Sequence, residues 1–400
     1  MTMTLRALVL ATGLLGTAGL LPSGAIAQTE FAQCIDRLQA RAVESGVARG
    51  TAERVLATVA PLERVIAADR NQPEFVDTFA DYLRRRVTEG RVEAGRELYH
   101  QHRTLLDELT RRHGVPGHYL LAFWALETNY GNVMGNVPVF DALATLACDR
   151  RRSEYFAVEL VNALHLADRG DVDPSDMTGS WAGAMGHTQF MPSAYLEYAV
   201  DGDGDGRVDL WDSVPDALTS AAAYLSGLDW QRGARWGREV KLPDGFDYYA
   251  TGRELRRGLA QWRELGITDV AGRPIPIADF DAALLLPAGR RGPAFLVYDN
   301  FDVIMSWNRS EFFALTVGHL ADRIGGAGPL AVAPPAHDRL TRDQLAALQA
   351  VLNERGFDSG TVDGRLGPMT MQAIKDYQRS RQEPADGFPD PDILSALGID

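Results

Sequence analysis

The chain has 400 residues, too many for one compact core, so two domains are expected. Its apolar fraction of 46% and charged fraction of 24% are those of a soluble globular protein. A formal net charge of −14, with no basic run, argues against nucleic acid as a partner.

At the N-terminus Arg6 precedes an apolar run over 7–21, and Ala25-Ile26-Ala27 then offers small residues at the two positions a signal peptidase inspects. Residues 1–27 therefore read as a secretory signal, too short to span a membrane. No Cys stands at the cleavage point, so no lipobox is present, and the mature protein is expected in the periplasm without a transmembrane segment. It carries two cysteines, Cys34 and Cys148. In an oxidising compartment an even count favours one disulfide, the alternative being two buried thiols.

Residues 31–110 are patterned as helices, with apolar positions three and four apart. Tyr82 lies among them and reads as a packed core tyrosine. Residues 117–131, GHYLLAFWALETNYG, predict a nearly all-apolar helix entered at Pro116 and stopped at Gly131. Its one acid, Glu127, shares a face with Leu120, Phe123 and Trp124. Apolar neighbours and the negative end of the helix dipole both disfavour ionisation, as a general acid requires. The plainer alternative is a surface Glu finishing a core helix. Two further helices are predicted over 139–147 and 154–166.

Residues 180–195, SWAGAMGHTQFMPSAY, are glycine-rich around a polar centre and predict a site-lining loop before a helix, or a tight turn packed by Trp181 and Phe190. Next, 201–212 (DGDGDGRVDLWD) matches the calcium-loop spacing, with Asp201, Asp203 and Asp205 at positions 1, 3 and 5 and Gly206 at the sharp turn. Arg207 would offer its carbonyl and Asp209 its carboxylate. Asp212 stands where a longer Glu is usual, so Asp212 or Asp216 would close the set. A solvated acidic turn is the alternative. Helices are expected over 217–228 and 254–265, short strands over 239–242, 282–286 and 294–297, and helices again over 301–307 and 311–324. The polar 307–310 (WNRS) forms a corner between the last two. A linker over 326–338 leads to a small helical domain, 339–400.

The motifs ETNYG at 127–131, 180–195, the acidic loop and WNRS occur in the order of the lytic murein transglycosylase B family, which this chain resembles over most of 30–325. LQAVLNERGF, VDGRLGPMT and AIKDYQ resemble a three-helix peptidoglycan-binding domain over nearly all of 340–397. The resemblance implies a mainly α fold: a lysozyme-like catalytic domain (28–325) with a small accessory β-sheet and an EF-hand-like loop, then the C-terminal domain. It implies cleavage of the β-1,4 bond between N-acetylmuramic acid and N-acetylglucosamine without water, leaving 1,6-anhydromuramoyl ends. Glu127 would act first as acid, then as base. Gln189 would orient substrate or Glu127, while Ser180, Met191, Asn308 and, by a looser match, Tyr82 would line the cleft. Calcium would be structural, with no organic cofactor. The partners implied are peptidoglycan glycan strands; the sequence names no member of a cell-wall remodelling complex. A muramidase-type hydrolase on the same scaffold, or a non-catalytic wall-binding scaffold, are the competing readings.

Overall fold

The computed structural model describes residues 23–70 and 77–399. Most of the expected leader, 1–22, lies outside the described residues. Among them, no helix is long and apolar enough to cross a membrane.

The architecture is mainly α. The Gly117–Thr128 helix has nine of its twelve residues buried, because apolar side chains occupy every face. The helices Glu89–Gln101, Arg103–His113, Val214–Gly227 and Glu311–Ile324 pack around it. The helix stops three residues before Gly131. Asn129 and Tyr130 turn left-handed, at φ of 50° and 59°, which costs roughly 1–2 kcal/mol per non-glycine residue. Tertiary bonds hold them there: Arg91 donates to Asn129 Oδ1 at 3.2 Å, and Tyr130 Oη donates to the Arg91 carbonyl at 2.8 Å.

A second core gathers the N-terminal helices Ser23–Glu44 and Arg49–Leu56 with Val139–Ala147 and Ser153–Arg169. Cys34 and Cys148 are disulfide-bonded across 114 residues of chain, with Cα atoms 5.9 Å apart. Closing so long a loop restricts the unfolded chain, an effect worth roughly 2–5 kcal/mol in such proteins.

Strands β1 (Val137–Pro138) and β2 (Thr178–Gly179) form a two-stranded pair absent from the sequence reading. The accessory sheet has five antiparallel strands: β3 (Gly237–Lys241), β4 (Arg256–Gly258), β5 (Thr268–Asp269), β6 (Asp281–Leu285) and β7 (Ala294–Val297), in the order β4-β6-β7-β3-β5. Alternation decides where each side chain goes. Ala283, Leu285, Phe295 and Val297 face the central-helix core, while Ala282, Leu284, Ala294 and Leu296 face a small core under Trp262. With both faces covered, β7 and residues 282–285 of β6 carry no polar side chain. The expected helix over 254–265 is corrected here. Its first part is β4, paired to β6, and the helix runs only from Leu259 to Glu264.

Helices Arg342–Glu354, Pro368–Ser380 and Pro391–Leu397 enclose a separate core. Buried Gln349 accepts from the backbone N–H groups of Asp363 and Gly364 and donates to the Asp363 carboxylate, pinning the VDGRLG turn onto the first helix. The preceding segment is strapped to the sheet, where Glu239 accepts from the Ala331 and Val332 N–H groups at 2.8 Å. Tyr249 Oη donates to Asp376 at 2.7 Å, and Lys375 donates to the Thr251 carbonyl, which seats the C-terminal helices against the accessory unit.

Candidate active site

Glu127 occupies the last turn of the central helix and is half-buried. The Asp299–Trp307 helix delivers Trp307 to it, and the indole Nε1 donates to Glu127 Oε1 at 3.1 Å. Trp307 is held by rings on three sides. Phe123, Tyr224 and Phe190 have centroids 4.5, 4.8 and 5.5 Å away. It touches both large cores, so the carboxyl sits on the seam between them.

The glycine-rich loop packs against the same corner, with Phe190 on Trp307 and His187 on the central helix. Met185 and Phe190 exchange backbone hydrogen bonds at 2.8 and 2.9 Å, closing a tight hairpin over 186–189. At its tip Gln189 is left-handed, at φ 51°, and its amide nitrogen donates to the carbonyls of Met134 and Gly186 at 3.1 and 3.0 Å. Those two bonds fix the amide plane. Ser180 accepts from the N–H groups of Ala182 and Ala184, shaping the turn that precedes the hairpin. Met191 caps the Pro192–Tyr198 helix, and Asn308 caps the helix that carries Trp307; both are partly exposed.

His187 ties the hairpin to the central helix. Its Nδ1 accepts from Trp124 Nε1 at 3.0 Å, and Thr128 Oγ1 donates to its carbonyl at 2.6 Å. The imidazole is held below its usual range, because burial outweighs the attraction of Asp212 and Asp209. A neutral ring is what an Nδ1 acceptor requires. Gly131 permits the approach, since a Cβ there would lie 2.4 Å from the ring.

Tyr82 is placed elsewhere. It is 1% exposed in the central core, against Phe312, with the Arg86 guanidinium over its ring, so its side chain is closed off from solvent. The packed reading of its residue type describes it, and the looser family match does not. Tyr224 is the member of this ring cluster that no sequence motif indicates, while Phe190 and Trp307 belong to the glycine-rich turn and the WNRS corner. Trp307 adjoins Asn308 within WNRS, and that adjacency was the available signal.

In the acidic loop, oxygens of Asp201, Asp203 and Asp205 lie within 4.8 Å of one another, the one such carboxylate cluster among the described residues. Backbone N–H groups of Gly206 and Gly204 hold the Asp201 carboxyl below its ordinary range. Asp209, Asp212 and Asp216 do not join the cluster. Asp209 accepts from the N–H groups of Trp211 and Asp212. Asp216, buried at the start of the Val214–Gly227 helix, accepts from Gly202 and Asp209 and so staples the two ends of the loop. Asp212 and Arg207 are exposed.

The chain also matches a known family over most of its length. The transglycosylase SLT domain model matches residues 30–322. The chain belongs to that family. Its fold is lysozyme-like, and a putative peptidoglycan binding domain matches residues 341–397. SltB3 from Pseudomonas aeruginosa, solved with NAG-anhNAM-pentapeptide, is 44% identical. That match covers 92% of this chain and 99% of the other, with a TM-score of 0.88. The membrane-bound lytic murein transglycosylase B of Escherichia coli K12 is 34% identical over 249 residues, 61% of this chain and 66% of that protein. The Escherichia coli lytic transglycosylase SLT35, solved with calcium, is 31% identical with a TM-score of 0.61, covering 74% of this chain and 92% of the other. This SLT-family chain is thus similar to lytic transglycosylases along its catalytic part.

Proposed function

We propose that the protein is a periplasmic lytic transglycosylase that cuts the β-1,4 bond between N-acetylmuramic acid and N-acetylglucosamine in peptidoglycan. The observation that carries this reading is Glu127, half-buried on the seam of two cores, with the neutral Trp307 N–H as a partner. Glu127 protonates the glycosidic oxygen as the bond to C1 breaks. The muramoyl C6 hydroxyl then attacks C1 and returns a proton to the Glu127 carboxylate. Atoms balance without water, and the new end is a 1,6-anhydro ring. A neutral donor suits a residue used twice, because an indole N–H can bond a carboxyl oxygen in either protonation state. A fixed cation would instead lock the carboxylate form and impair proton donation. Gln189, held in one orientation, would steer the substrate against Glu127, with Ser180, Met191 and Asn308 along the groove. Charge developing at C1 would be met by the substrate's own N-acetyl carbonyl.

The three-helix tail, residues 339–400, would hold the glycan near the groove and raise its local concentration. Its docking on the accessory unit supports this reading. The acidic loop fits a hard divalent cation, since three converging carboxylates repel one another without one. Asp201, Asp203 and Asp205 would hold calcium, which would supply charge neutralisation and loop stability and take no part in bond cleavage.

Digestion of purified peptidoglycan followed by mass analysis of the fragments tests the function. Anhydro ends are expected. Hydrated reducing ends would make the protein a muramidase-type hydrolase, and no fragments at all would leave a wall-binding scaffold.

A further inference from the structure

Gln189 holds a left-handed backbone, which a non-glycine residue keeps only where the chain on either side of it is fixed. On the leading side the Thr128 hydroxyl bonds the His187 carbonyl, and the Met185–Phe190 backbone pair closes the hairpin. On the trailing side the chain runs through Phe190, Met191 and Pro192 into the Pro192–Tyr198 helix. Pro192 has no N–H, so Ser193 offers the first donor of that helix. Glu159 takes it. One carboxyl oxygen accepts from the Ser193 N–H at 2.9 Å and the other from the Ser193 hydroxyl at 2.7 Å, so both are engaged by a single residue.

Glu159 is 4% exposed and has no ion-pair partner among the described residues. Burying an acid without a cation is costly, so packing alone does not account for it. Its helix, Ser153–Arg169, is itself anchored to the N-terminal helices. Glu154 pairs with Arg41 at 2.7 Å, and Asp168 accepts from the Ala48 N–H and the Thr51 hydroxyl. Ser193 is therefore tied to a fixed strut, and Phe190, between it and the strut-facing hairpin, packs on Trp307.

We propose that Glu159 is a positioning residue for the cleavage reaction. Through Ser193 it holds the trailing side of the hairpin, and so keeps the Gln189 amide on the Met134 and Gly186 carbonyls. It acts on the substrate only through Gln189. The proposal rests on the reading that Gln189 steers the glycan against Glu127.

The test compares full-length Glu159→Ala and Glu159→Gln with the parent on purified peptidoglycan, at a temperature where melting curves show all three folded. Glu159→Ala is expected to lower kcat about ten- to a hundredfold with KM within about twofold, the mark of lost alignment. Glu159→Gln can keep both contacts, its Oε1 accepting from the N–H and its Nε2 donating to the hydroxyl, and should stay within about threefold of the parent. In a Gln189→Ala background the further loss from Glu159→Ala should be below about threefold, because the two residues act as one unit. An unchanged kcat in Glu159→Ala, a Gln variant as impaired as the Ala variant, or a full multiplicative loss in the Gln189→Ala background overturns the proposal.

A second arm needs no turnover and so separates this failure from failure of the functional reading. With isotope-labelled glutamines, the side-chain amide of Gln189, assigned by its disappearance in Gln189→Ala, should exchange slowly in the parent and in Glu159→Gln and fast in Glu159→Ala. That pattern supports the proposal even if no strand is cut, and an amide equally protected in Glu159→Ala sinks it even if strands are cut. Should Glu159→Ala not fold, Ser193→Ala takes its place: it removes one of the two donors, leaves the acid, and should loosen the same amide.

Discussion

Trp307 Nε1 and Glu127 Oε1 meet at 3.1 Å although 180 residues separate them in the chain. The contact joins the end of the central helix to the end of the Asp299–Trp307 helix and sets the direction of the carboxyl. Replacing Trp307 by Phe keeps a ring among Phe123, Phe190 and Tyr224 but removes the donor. Loss of a hydrogen bond to a charged or charging group costs roughly 1.5–3 kcal/mol, so turnover should fall about ten- to a hundredfold. Initial rates of anhydro-muropeptide release measure it, with a melting curve to show that the fold is intact. Glu127→Gln should abolish release with little change in melting temperature. Full activity of Trp307→Phe would mean that the indole serves packing alone.

Gly131 makes a second, structural test of the same corner. Its φ of 84° is a left-handed conformation, and a Cβ would lie 2.4 Å from His187 Cε1. Gly131→Ala therefore strains the backbone and pushes the ring that accepts from Trp124. The expected result is a loss of stability of about 1–3 kcal/mol in denaturant unfolding, with a drop in activity larger than the unfolded fraction explains. An activity loss no greater than the unfolded fraction would show that the His187 contact does not position the groove.

The central helix was legible because its apolar residues surround Glu127 on every side, a pattern that needs no tertiary knowledge. The helices over Val139–Ala147 and Glu311–Ile324 were legible for a different reason, the three- and four-residue spacing of their apolar positions. Arg256-Arg257-Gly258 was not, because nothing in its residue types favours a strand. Pairing with β6 imposes one. The convergence of Trp307 on Glu127 is a long-range event that no local pattern encodes. In the acidic loop the spacing of Asp201, Asp203 and Asp205 showed which carboxylates approach. Whether Asp216 faces a cation or the loop backbone depends on the helix that carries it, and here it accepts from Gly202 and Asp209. Tyr82 shows the value of the plain reading, since its ring is packed as its neighbours suggested.

Calcium should raise the melting temperature if the acidic loop holds it, by relieving repulsion among Asp201, Asp203 and Asp205. At a hundredfold excess over the dissociation constant the gain is about 2.7 kcal/mol. Asp203→Ala should erase that increment, with only a small drop in chelator from the lost bonds of Ser213 Oγ and the Asp205 N–H to this exposed carboxylate. Asp216→Asn should instead lower stability even in chelator, because it weakens the staple between Gly202 and Asp209. Thermal scans with calcium and with chelator decide both. A parent protein indifferent to calcium would leave the loop a solvated acidic turn.

Acid should destabilise the fold through two histidines. Burial pushes the imidazoles of His319 and His118 down to about 4, with Arg323 and Arg235 adding repulsion. Above the ordinary value of 6.5 both states of the protein carry neutral rings, and this contribution to stability is complete. As pH falls from there toward 4, the unfolded chain takes protons that the native rings refuse, so stability is lost across that window. His319 is 7% exposed, and its share is on the order of 1–3 kcal/mol. The raised carboxyls of Asp322 and Glu311, driven up by burial, act in the opposite sense, so the parent profile alone does not isolate the histidine. The difference between the parent and His319→Gln does. Urea unfolding at steps from pH 7 to pH 4.5 should show the variant losing stability less steeply than the parent. Parallel profiles would show that His319 already accepts its proton in the native state.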